Sequence, residues 1–150
     1  MTKGEKAKSL FLAGYNCAQA VFGAFCEDFG LDFEFGMKLS SGFGGGIGRL
    51  REVCGAVSGM VMVLDMKYGY TSPTDNDTKM LHYKRVQDIA KKFSDENGSI
   101  ICRELLGLSE KVSAPAPEVR TNEYYKKRPC KELVEMAADI VDAYMKELEA

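Results

Sequence analysis

The run Arg51-Glu52-Val53-Cys54-Gly55-Ala56-Val57-Ser58-Gly59-Met60-Val61-Met62-Val63-Leu64-Asp65-Met66-Lys67-Tyr68 decides the fold. Its apolar residues do not keep to one stripe but occupy almost every angle of a 3.6-residue helix. A helix apolar all round belongs in the interior of a bundle. The apolar stretch from Val53 stops at Asp65, too short to span a bilayer. Gly55 and Gly59 are four residues apart. They therefore share a helix face on which a neighbouring backbone can approach closely.

Working outward, every neighbouring segment reads as helix. Residues 4–13 form a short amphipathic helix ending at Gly14. Asn16 caps a helix from Cys17 to about Phe29, closed by Gly30, and Asp32 caps one from about Phe33 to Leu39. After the central segment, Thr74 or Asp75 opens a long polar helix over 75–97 with Gly98 past its end, and a short helix covers 102–106. The stretch 108–129 holds Pro115, Pro117 and Pro129 and reads as a long ordered loop. A last helix over 130–148 places Leu133, Ala137, Ile140, Val141, Tyr144 and Leu148 on one face. No alternating run is long enough for a sheet. The expected fold is an all-α, single-domain helical bundle over residues 1–150, with a central apolar helix and a glycine-rich interhelical loop.

Composition bounds the function. An apolar share of 45% in 150 residues supports a packed core and argues against disorder. A net charge of −2 leaves no footprint for nucleic acid. The charged start Met1-Thr2-Lys3-Gly4-Glu5-Lys6 leads into no signal-peptide core, so a cytoplasmic location is expected, without an integral membrane segment. The tract Gly42-Phe43-Gly44-Gly45-Gly46-Ile47-Gly48 fits no G-x-G-x-x-G register and precedes no Gly-Lys-Ser/Thr, which excludes the nucleotide-loop motifs. It reads as a left-handed or flexible turn, or as a nest of N–H groups facing an anion or thiolate. His82, the one histidine, is expected at the surface or boundary. Asp75-Asn76-Asp77 lacks the later residues of a calcium loop and serves as a helix cap. Lys126-Lys127-Arg128 beside Tyr124 and Tyr125 reads as a solvated loop face.

Five cysteines are left unexplained: Cys17, Cys26, Cys54, Cys102 and Cys130. Cys17, Cys54, Cys102 and Cys130 each fall near a helix start, where free N–H groups and the dipole favour a thiolate. Cys26 lies nine residues beyond Cys17, half a revolution round the same helix, and reads as a small buried hydrophobe. There is no Cys-x-x-Cys, so a zinc ribbon, a thioredoxin motif and a c-type haem site are all excluded. A shared site would take one cysteine from each of four helices.

Asn16-Cys17-Ala18, the glycine-rich run into Cys54-Gly55-Ala56-Val57-Ser58-Gly59, and the single Cys102 and Cys130 resemble the C_GCAxxG_C_C family of redox-active proteins. The resemblance spans about residues 10–145. It implies four signature cysteines (Cys17, Cys54, Cys102 and Cys130), an unidentified redox partner, and a link to a transporter system through frequent gene proximity. Three chemistries suit four converging thiols: an iron–sulfur cluster, a reversible thiol–disulfide couple, or zinc held by all four cysteines. The alternative is a non-redox helical adaptor with structural cysteines. Gly44, Gly45, Gly46 and Gly55 are expected to enclose the site beside the Cys54 sulfur. Arg49 and Arg51 flank Cys54, either to offset thiolate charge or as surface residues.

Overall fold

Thr2 opens the chain's first helix by accepting the Glu5 N–H, which starts α1 at Lys3–Leu12. We describe residues 1–109 and 112–150 of a computed structural model. Asn16 and Gln19 form a reciprocal capping box that starts α2, Cys17–Cys26. Asp32 accepts the Phe35 N–H to open α3, Phe33–Ser40. A 3₁₀ turn, Ser41–Phe43, and a turn at Gly44–Ile47 lead into α4, Gly55–Tyr68. Asp75 caps α5, Asn76–Asn97, and Gly98 closes it at φ +88°. α6 (Cys102–Leu105), α7 (Asn122–Lys127) and α8 (Cys130–Glu149) complete the fold.

The architecture is all-α. α1 packs on α2 and α8, α2 on α3, α4 and α8, and α5 on α4 and α8. α4 buries Ala56, Val57, Met60, Val63 and Leu64. It shares the centre with α2, in which every residue from Ala20 to Cys26 is buried. The two helices meet along the glycine face. A Cβ on Gly59 would lie 2.7 Å from the Val21 Cβ, and one on Gly55 3.1 Å from the Cys17 Cβ. Side chains here would force α4 away from the start of α2.

Three features depart from the sequence reading. α4 begins at Gly55 rather than near residue 51, because Arg51 sits at φ +61° and residues 51–54 pair with another segment. The stretch 108–129 is not wholly loop: Thr121 accepts the Tyr124 N–H and starts α7, so Lys126 and Lys127 form a helix's last turn. His82 is buried, not at the surface, because Asp65 on the neighbouring α4 offers its ring Nε2 a partner at 2.6 Å. Among the described residues no helix is long and apolar enough to cross a membrane.

Candidate functional site

Local structure sets all four candidate cysteines at helix starts. Cys17 is the first residue of α2 and Cys130 the first of α8; Cys102 is the first of α6, and Cys54 is the residue that caps α4. An antiparallel pairing of Val53 with Ile101 joins two of these starts. In it the Cys54 N–H donates to the Ile100 carbonyl at 2.8 Å, and the Cys102 N–H to the Glu52 carbonyl at 2.6 Å. Cys17, Cys54, Cys102 and Cys130 all line one cavity of about 410 Å³. Cys26, at the opposite end of α2, is not among its lining residues. It donates to the Phe22 carbonyl at 3.4 Å and packs on Gly36.

The glycine tract forms a wall of the same cavity through Gly44, Gly45, Gly46 and Gly48, and Gly55 joins them from the start of α4. Five consecutive residues, Gly45 to Arg49, have φ between +56° and +70°, a left-handed turn. Such a turn disfavours L side chains, so glycine at three of the five positions lowers its cost, while Ile47 and Arg49 bear it. The contact this turn makes with a cysteine is at Cys102: a Cβ on Gly46 would stand 2.7 Å from the Cys102 Cβ. Arg51 likewise serves Cys102, donating from its guanidinium to the sulfur at 3.6 Å. Arg49 turns to the Ala114 carbonyl at 2.6 Å.

Three of the four thiols are held above the ordinary thiol range. Loss of water pushes the Cys54 thiol up to about 12, although the Ala56 and Val57 N–H groups oppose the shift. Burial also raises Cys102 against the pull of Arg51. Cys17 is raised by its interaction with the neighbouring Cys130 thiol first and then by burial. Cys130 alone is lowered, by the neighbouring Cys17 thiol first and then by Arg128, Arg51 and Arg120, which together outweigh its burial. A helix start is therefore not enough to ionise a buried thiol. Nearby cations and the neighbouring thiol set Cys130 apart from the other three.

Tyr124 and Arg128, expected on a solvated loop face, instead turn inward and line the cavity. Glu118 and Arg120, which the sequence reading did not single out, close it with them from the proline-bearing segment. Arg120 ties this segment down, donating to the Phe11 and Tyr15 carbonyls near the end of α1 and stacking 4.1 Å above the Phe11 ring. Three prolines in so short a stretch are a signal of a shaped wall, and Arg128 stands two residues before Cys130. Among the described residues, no group of three or more His, Cys, Asp or Glu side chains is arranged to hold a single metal ion.

A family model described as "Putative redox-active protein (C_GCAxxG_C_C)" matches residues 15–144. The chain belongs to this family. The match takes in all four cavity cysteines and the glycine wall. An Archaeoglobus fulgidus protein described as "Uncharacterized protein" is 27% identical over 161 aligned residues, covering 98% of each chain. No solved structure matches.

Proposed function

We propose that the protein is a dithiol–disulfide electron carrier in which Cys130 is the attacking thiolate and Cys17 the second thiol. The observation that carries this reading is that Cys17 and Cys130, at the starts of α2 and α8, line one cavity together with Arg51, Arg120 and Arg128. Thiolates, not thiols, attack disulfides, and cations beside a helix start are the standard means of holding one. The Cys130 thiolate attacks one sulfur of an oxidised partner's disulfide and forms a mixed disulfide, releasing the partner's first thiolate. Cys17 gives its proton to that thiolate and attacks the Cys130 sulfur. The partner's second thiolate leaves, and a Cys17–Cys130 bridge remains. Two electrons pass to the partner. The reverse sequence, with a dithiol reductant, restores the pair.

A second reading has the four thiols ligate an iron–sulfur cluster, and it draws on their sharing one cavity. Cys17, Cys54, Cys102 and Cys130 would hold it, and it would supply one-electron transfer. A helical adaptor with structural cysteines gives no reason for four thiols and four arginines to line one space. The reaction of the air-free reduced protein with bis(2-hydroxyethyl) disulfide tests the proposal. Cys130→Ser is expected to abolish oxidation and Cys17→Ser to stop at a trapped mixed disulfide, with Cys26→Ala reacting as the parent. Oxidation that persists in both serine variants overturns the assignment.

A further inference from the structure

The charges around the cavity are unbalanced among the described residues. Arg49, Arg51, Arg120 and Arg128 line it, against a single described carboxylate, Glu118. Glu118 is taken by Arg128 at 2.5 Å, with Arg49 at 4.0 Å. Arg120 is spent on backbone carbonyls. Arg51 is only 5% exposed and has no carboxylate partner among the described residues; its guanidinium meets the Ser113 hydroxyl at 2.9 Å and the Cys102 sulfur. One guanidinium nitrogen of Arg128, Nη1, is buried with no hydrogen-bond partner among the described residues. A buried guanidinium with no carboxylate partner, as at Arg51, and a buried donor with no acceptor, as at Arg128 Nη1, are costly, and native proteins rarely keep them without a use. The cavity's volume falls in the range of small-molecule sites.

We infer that this cavity binds a small sulfur oxyanion carrying a sulfane sulfur, of the thiosulfate class, with Arg51 and Arg128 holding the oxyanion beside Cys130. The inference rests on the dithiol reading and names its substrate class. An inert oxyanion would use the arginines alone, and an uncharged disulfide the thiols alone. An anion with a cleavable sulfur–sulfur bond uses both. The Cys130 thiolate attacks the sulfane sulfur, forming a Cys130 persulfide, and the sulfur–sulfur bond of the anion breaks to release sulfite. Cys17 then attacks the Cys130 sulfur and passes its proton to the departing sulfane, which leaves as hydrosulfide. The dithiol loses two electrons, the sulfane sulfur gains them, and one sulfite and one hydrosulfide form per Cys17–Cys130 bridge.

Single-turnover reaction of the air-free reduced protein with thiosulfate, and calorimetric titration with redox-inert sulfate, test this. Sulfate is expected to bind saturably at one site. Arg128→Gln should weaken it by about tenfold, the scale of one charge-assisted hydrogen bond. Glu118→Gln, at a side chain 41% exposed, should tighten it by freeing Arg128. Thiosulfate is expected to yield sulfite and hydrosulfide in equal amounts with the bridge, more slowly in Arg128→Gln. Absent sulfate binding, binding or turnover indifferent to Arg128→Gln, or thiosulfate releasing no sulfite would each overturn the inference. Bis(2-hydroxyethyl) disulfide separates the two levels. If it oxidises the pair while thiosulfate does not, the oxyanion assignment fails and the dithiol reading stands. If neither oxidises the pair, the dithiol reading fails.

Discussion

Replacing Gly46 by Ala separates two roles of the left-handed turn. Gly46 has φ +70° and ψ +49°, and Gly48 nearby has φ +56° and ψ +33°. An L residue in this region costs about 1–2 kcal/mol, part of which is returned by a stiffer unfolded chain. Gly48→Ala, whose Cβ meets nothing within 4 Å, carries that backbone cost alone, about 1 kcal/mol. Gly46→Ala carries it too, and its Cβ would also stand 2.7 Å from the Cys102 Cβ, 2.8 Å from the Glu52 nitrogen and 2.9 Å from the Arg51 Cα. Two of those atoms are backbone and belong to the pairing that holds Cys54 and Cys102, so relief requires that pairing to open. Overpacking of this kind adds about 1–3 kcal/mol, for a total of about 2–4 kcal/mol. Urea unfolding of both variants measures the difference, with m unchanged if unfolding stays two-state. Equal losses for Gly46→Ala and Gly48→Ala would refute the close approach of the turn to Cys102.

Cys26→Ala is expected to cost about 1–2 kcal/mol as a small cavity in the core, seen in urea melts, and to leave the reaction with disulfides unchanged. Alkylation by iodoacetamide in rising pH should label Cys130 first, below the ordinary thiol range; Cys17→Ala, which removes the neighbouring thiol that lowers it, should shift that labelling to higher pH. Cys54 makes the protein alkali-sensitive. Its native value near 12 lies above the unfolded thiol's 9.0, so the native state holds the proton longer. Stability therefore falls as pH rises through this window, by about 1.4 kcal/mol per unit from this residue. Denaturant melts from about pH 8 to 11, a range that crosses the ordinary thiol value, should show a shallower decline in Cys54→Ala than in the parent.

The helices are legible in the sequence because their signals are local. Asn16, Asp32, Asp75 and Gly98 each act on a few neighbouring atoms, and each stands where a cap is needed. The four cysteines at helix starts can be read for the same reason. The environment of each thiol cannot, because it depends on distant residues. Arg51 reaches Cys102 across 51 positions, and Arg120 reaches Phe11 across 109. The short α7 is hidden by the prolines around it. His82 gives no sign of its burial in its own helix, because its partner, Asp65, belongs to another.

Peptide mapping of the reduced protein after one equivalent of bis(2-hydroxyethyl) disulfide, with free thiols blocked before unfolding and again after it, tests the central claim most directly. The account predicts one bridge, Cys17–Cys130, with Cys26, Cys54 and Cys102 recovered as free thiols. Five free thiols, a bridge between any other pair, or stoichiometric iron and sulfide in the protein purified without air would contradict it.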